Sequence, residues 1–187
     1  MPLKTSRKEY KMPRSSFANI DCPIALAAEQ LADKWKFVII RNAFNGMRRF
    51  DDFALQLGVA SNVLTRRLSE LVDVGILKKV PLEDDRRAFE YRLTPKGYDL
   101  FPMLIFLAQW SDRWIKKKGG PRLNLAYGNA AEPLLPVQVK TASGATVTPQ
   151  SLKISEGAGK SSVYREIRQL VRQRAGKNIV PKPGSAV

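Results

Sequence analysis

The stretch that decides the fold is SNVLTRRLSELVDVG, residues 61–75. Val63, Leu64, Leu68, Leu71 and Val72 keep the spacing of a helix packed on a core. Asn62, Thr65, Arg66 and Ser69 repeat at the same period on another face. Such a helix gives its apolar stripe to its own core and leaves a hydrogen-bonding stripe for something else. Ser61 reads as the cap at its start and Gly75 as its stop, with Ile76 and Leu77 folding back. Just upstream, RFDDFALQLG (49–58) reads as a short helix with Asp51 and Asp52 in its first turn and Gly58 after its last. The pair 50–58 and 61–74 has helix-turn-helix dimensions.

Working outward, DCPIALAAEQLADKW (21–35) predicts a helix capped by Asp21 or Cys22, with Pro23 in its first turn. KWKFVIIRNAFNG (34–46) predicts a second helix that stops at Asn45–Gly46 and buries Trp35, Val38, Ile39 and Ala43. Downstream the period switches to two. In ILKKVPLEDDRRAFEYRLT (76–94), Phe89, Tyr91 and Leu93 alternate with Glu90 and Arg92, so two strands flank a charged turn. Residues 94–118 predict a long helix capped by Thr94, with Pro95 first and a kink at Pro102. The expected fold is mainly α with a small β wing (α+β): a winged helix-turn-helix, a small β-ribbon-like C-terminal segment and a terminal helix.

The 187-residue chain carries a net charge of +15. Residues 1–20 contribute +4 (5 basic, 1 acidic), 21–118 contribute +4 (17 and 13), and 119–187 contribute +7 (10 and 3). That excess favours polyanionic partners, nucleic acid ahead of a membrane surface. There is no histidine and one cysteine, Cys22. This argues against His-dependent triads, a Cys-rich zinc site and an intrachain disulfide. A single thiol fits a reducing cytosol, and the charged N-terminus predicts no signal peptide, so the expected location is cytoplasmic. The expected organisation is a basic arm over 1–20, a DNA-binding and dimerisation domain over 21–118, and an accessory region over 119–187.

Several local signatures coincide in order: Cys22-Pro23 at a helix start, Lys34-Trp35, Arg49-Phe50, Leu68-x-x-Leu71 followed by Gly75-Ile76-Leu77, and Tyr91-x-Leu93-Thr94-x-x-Gly97. Over roughly 22–115 the chain resembles the HxlR-type winged helix-turn-helix bacterial transcriptional regulators, a MarR-like group. The resemblance implies a dimeric DNA-binding protein paired through its first and last domain helices. It also marks Cys22 as a candidate redox or electrophile sensor, since some members sense through the cysteine at this position. A helix start favours the thiolate, though a small packing residue is the plainer alternative.

In that fold the 61–74 helix lies in the major groove, and its first turns reach deepest. Ser61, Asn62, Thr65 and Arg66 are the expected base-reading set, because Asn matches adenine and Arg matches guanine through two hydrogen bonds each. Arg67, to one side, is the expected phosphate contact. At the wing tip Arg86 and Arg87 would meet phosphates or a narrow minor groove, although Glu83, Asp84 and Asp85 oppose a tip lying wholly on DNA. Arg48 and Arg49 are further phosphate candidates. Each could instead be an ordinary solvated residue. The apolar surplus of the helix after 95, from Leu100 to Trp114, implies a second subunit or burial against the C-terminal segment.

Beyond 119, short β-prone runs (LLPVQVKT, ATVTPQSLKIS) lie between Gly and Pro. Some HxlR-type proteins continue into a ribbon resembling a metal-binding knuckle. Here Tyr127-Gly128 and Lys140 to Ser143-Gly144 stand where its Cys-Gly positions would be, so a metal-free ribbon is expected. EGAGKSS (156–162) lacks the first P-loop glycine, since residue 154 is isoleucine, and too little chain follows for an NTPase sheet. A basic helix over 161–175 and a flexible tail complete the chain.

The whole reads as a sequence-specific regulator of double-stranded DNA. It is expected to be a homodimeric repressor on a near-palindromic operator, needing no cofactor or metal, with no membrane partner and with an unknown small-molecule or oxidant effector possible in principle. The alternative is a winged-helix module for protein or RNA interaction. No acid–base pair supports an enzyme.

Overall fold

The structure, a computed structural model, describes residues 16–17, 20–82, 88–115, 119–120, 122–129, 131–155, 157–158 and 162–173. They fall into two compact units, one drawn from 1–30 and 154–187, the other spanning Leu31–Lys153.

In the larger unit, α2 (Lys34–Phe44), α3 (Phe50–Leu57) and α4 (Ser61–Asp73) precede the antiparallel hairpin of β1 (Leu77–Pro81) and β2 (Phe89–Leu93). Then come α5 (Pro95–Tyr98), α6 (Phe101–Trp114) and the short pair β3 (Ala126–Tyr127) and β4 (Glu132–Pro133). Asp33 starts α2 by accepting from the backbone N–H of Trp35 at 2.8 Å and of Lys36 at 3.3 Å. Gly58 closes α3 at φ +58°, a left-handed cap that suits a residue without Cβ.

The core gathers where these elements meet. Leu64, Leu68 and Leu71 of α4 are wholly buried beside Ile39 and Ile40 of α2 and Phe53 of α3. Ile76, Leu77, Tyr91 and Leu93 close it from the hairpin, with the Phe53 and Tyr91 rings edge-on at 6.5 Å. Each such side chain contributes about 1.5–3 kcal/mol by leaving water.

The motif from Tyr91 to Gly97 buckles the hairpin onto the end of α4. Thr94 Oγ1 donates to Gly75 O at 2.6 Å and accepts from Gly97 N at 3.1 Å, capping α5 as predicted. Lys96 Nζ donates to Val74 O at 2.6 Å, placing a cation on the carbonyl end of α4. At Gly97 a Cβ would collide with Ile76 O and Leu93, so only glycine allows this approach.

Several local expectations are corrected. Helix α4 is capped by Ala60, whose carbonyl accepts from Val63 and Leu64; Ser61 is the first helical residue and makes no cap bond. The predicted long helix is broken at Asp99–Leu100 instead of kinked at Pro102. Proline cannot donate to Tyr98 O, so it sits in the first turn of a new helix, where no donor is needed. The buried face of α2 is Ile39, Ile40, Lys36 and Asn42, while Trp35, Val38 and Ala43 are half-buried. Phe89 is exposed, with the Lys79 ammonium 5.8 Å from its ring. Most of the β-prone 134–152 chain is irregular. Gln109 of α6 docks it instead, donating to Leu135 O at 2.9 Å and accepting from Val137 N at 2.7 Å.

Helix α1 (Pro23–Leu31), all but its last residue in the smaller unit, starts at Pro23, directly after Cys22, whose carbonyl accepts from Leu26 N at 2.9 Å. Helix α7 (Ser162–Gln173) is strongly amphipathic.

Candidate nucleic-acid interface

Helix α4 is built with two opposed faces. Its leucine stripe is sealed, while Ser61, Asn62, Thr65 and Arg66 are all exposed in its first two turns. The polar face is therefore not consumed by the fold. Arg66 keeps 64% of its side-chain surface exposed and lies 3.8 Å from Glu70 through Nε. Asn62 is more constrained than its sequence suggests: Oδ1 accepts from Val63 N at 2.8 Å. A two-bond match to adenine uses that same oxygen, so Asn62 must share it through its second lone pair or turn away from Val63 N.

Arg67 points elsewhere. Its guanidinium sits between Asp33 (2.6 Å) and Glu70 (2.9 Å), with 17% of its side chain exposed. Lys36, nearly buried, meets Glu70 at 3.1 Å. The residue read as a phosphate contact is thus turned into an ionic bridge between the start of α2 and the middle of α4. Asp33 both caps α2 and holds Arg67, so the position of α4 against α2 is fixed by charge as well as by leucines.

Arg48 and Arg49 lie exposed before α3. The Arg48 carbonyl accepts from Tyr91 N at 2.8 Å, adding a short third edge to the hairpin. Its guanidinium lies 3.8 Å from Glu90, which also holds Arg92 at 2.8 Å. Lys78 and Arg92 face each other across β1 and β2, and with Arg48 they line a cleft of about 330 Å³ walled by Phe44 and Tyr98. Lys78 and Arg92 escaped the sequence reading, because strand register, not composition, pairs them. Arg86 and Arg87 lie outside the described residues.

Cys22 is half-buried at the start of α1. Backbone N–H groups of Ala25 and Ile24 and the Tyr164 hydroxyl hold its thiol below the ordinary value, against burial and Asp21, which push upward. The adjacent thiolate charge raises Tyr164 in turn. Sequence reasoning found the helix start; Tyr164, 142 residues away (164 − 22), gave no local signal.

Among the described residues no group of three or more acidic or cysteine side chains could hold a metal, and no helix is long and apolar enough to cross a membrane.

Three helices, a tight second turn and a two-stranded wing define the winged helix-turn-helix of transcriptional regulators. The chain belongs to the HxlR-like helix-turn-helix family, which matches residues 30–119. It is 35% identical over 136 residues, 73% of this chain and 86% of the relative, to an uncharacterized HTH-type transcriptional regulator of Mycobacterium tuberculosis, Rv3095. In three dimensions it is similar to the crystal structure of PA1607, a candidate transcription factor. The TM-score is 0.71 and the identity 32%, covering 76% of this chain and all of that one. The candidate transcription factor PA1374 of Pseudomonas aeruginosa is also similar, with a TM-score of 0.56 and 32% identity over 78% of this chain and 99% of that one. These relatives are named as regulators, and the chain is a DNA-binding transcriptional regulator of this family.

Proposed function

We propose that the protein is a sequence-specific, homodimeric repressor that reads a near-palindromic operator with α4, acting in the cytoplasm. The observation that carries the reading is the split of α4: three leucines fully sealed, and Ser61, Asn62, Thr65 and Arg66 left open beside them. In this reading Arg66 matches a guanine, Asn62 an adenine, and Ser61 and Thr65 refine the fit. Arg48 and Arg49 contact phosphates, as do Arg86 and Arg87 of the wing. Arg67 leaves the DNA set and positions α4 through Asp33 and Glu70.

Dimerisation is supported by α6, which leaves Phe101, Phe106, Leu107, Trp110 and Trp114 exposed. Such a run of large apolar groups along one helix suits a second copy. Two copies would present two α4 helices about 34 Å apart, one helical turn of DNA. Cys22 serves as an oxidant- or electrophile-responsive thiol in the smaller unit, supported by its depressed thiol at a helix start.

The test is selection of bound fragments from the source genome, followed by footprinting with and without a thiol oxidant. A symmetric protected site, lost on oxidation in the native protein and retained in Cys22→Ser, is the expected result. Absence of any saturable, competitor-resistant shift would overturn the regulator reading. An unchanged oxidant response in Cys22→Ser would remove the sensor.

A further inference from the structure

We propose that Glu70 is a specificity-determining positioning residue, which buttresses Arg66 through Nε and so leaves both Nη groups directed at a base. The proposal rests on the reading of α4 given above. Asn62, Arg66 and Glu70 are spaced four apart and share one stripe of the helix. Arg66 Nε lies 3.8 Å from Glu70 Oε1, an ion pair across one turn of that stripe.

Glu70 cannot drift with its exposed partner. Lys36 holds Oε2 at 3.1 Å from a nearly buried position, and Arg67 spans both oxygens at 2.9 and 3.1 Å. Arg67 is itself fixed by Asp33 at 2.6 Å. The carboxylate is therefore a stationary negative charge one turn behind the reading residues. Of the three cations around it, Arg66 is the most loosely held and the one with large exposure.

The atom used decides the consequence. A guanine accepts two parallel hydrogen bonds at O6 and N7. At 3.8 Å Nε is attracted by the carboxylate without a hydrogen bond, so the pair biases where the guanidinium lies and leaves both Nη groups for the guanine. A phosphate can be met by a guanidinium from many directions, and the attraction to Glu70 disfavours those that turn Arg66 away from the stripe. The fixed carboxylate also repels phosphates near α4, which weighs most on binding that depends on phosphates alone. Glu70 thus lowers affinity for random duplex while favouring the base-paired geometry at the operator.

The experiment is a double-mutant cycle read as the affinity ratio of a genome-selected fragment to a random duplex. Glu70→Gln is expected to lower the ratio roughly three- to tenfold and to raise random-duplex affinity about twofold or more. That gain cannot come from loss of folded protein, which lowers both affinities. In an Arg66→Ala background, Glu70→Gln should leave the ratio unchanged. Arg66→Lys, an exposed substitution that keeps the charge but has no Nε, should lose the ratio and abolish the effect of Glu70→Gln. Equal loss of ratio in the presence and absence of Arg66 overturns the proposal, as does an undiminished ratio in Glu70→Gln or Arg66→Lys. If Arg66→Ala itself leaves the ratio intact, the base-reading role fails first and this proposal falls with it.

Discussion

Helices α4 and α7 are written in the same style and end differently. Both alternate aliphatic residues with arginines at helical spacing. In α4 the aliphatic stripe has no exposure at Leu64, Leu68 and Leu71. In α7, Ile167, Leu170 and Val171 remain about half exposed, at 49%, 53% and 58%. Amphipathicity says that a helix has two faces; neighbours decide what each face does. Around α4 those neighbours are α2, α3 and the hairpin, and they fix the leucines, Arg67 and Glu70.

The largest expected effect tests that contrast directly. Leu68→Ala should cost about 3 kcal/mol, the transfer and cavity cost of a sealed leucine. Leu170→Ala should cost well under about 1 kcal/mol, as for a half-exposed site. Chemical denaturation monitored by tryptophan fluorescence checks both, and equal costs would erase the distinction.

Next is Arg67→Ala, expected to cost about 2–3 kcal/mol. That is the low end for a broken buried pair, since Asp33 and Arg67 keep some exposure. The same denaturation curves read it, and because Lys36 still holds Glu70, folded Arg67→Ala should lose far less of its operator-to-random ratio than Arg66→Ala does. A variant of full stability that bound both duplexes more weakly by the same factor would return Arg67 to the phosphates.

Thr94→Ala should cost about 1 kcal/mol through the lost cap of α5, with the Gly75 carbonyl losing its donor.

The smallest effect lies in the other unit. With one cysteine in the chain, alkylation by iodoacetamide reports Cys22 alone. Its rate should rise with pH to a plateau whose midpoint lies below that of an ordinary thiol, because helix-start N–H groups favour the thiolate. Tyr164→Phe removes a donor to that thiolate and should move the midpoint upward. A downward move would mean that Tyr164 acts by burying the thiol.

The legible parts of the molecule were those whose physics is local. Gly58 and Gly75 as stops, Thr94-Pro95 as a start, and the leucine period of α4 each depend on residues a few positions apart. The Arg67 bridge was not legible, because Asp33 lies 34 positions away (67 − 33) and a surface arginine looks the same in sequence as a buried one. The capture of Asn62 by Val63 N was missed for the opposite reason. It is local, but it lies in the first turn that Ala60 caps, where Val63 N is shared between Asn62 Oδ1 and Ala60 O. The pairing of Arg48 with Tyr91 joins two backbones, which side-chain pattern does not record.

The central claim is that the open face of α4 discriminates among base sequences, whereas basic residues elsewhere attract DNA without reading it. Competition binding of Arg66→Ala and of Arg168→Ala/Arg172→Ala, each on the genome-selected fragment and on random duplex, addresses it directly. Arg66→Ala is expected to lose roughly 10-fold or more of the operator-to-random ratio, the scale of one bidentate base contact. The α7 pair is expected to leave that ratio unchanged, with any loss shared equally by both duplexes and lessened by salt. An Arg66→Ala protein that weakened equally on both duplexes would contradict the account.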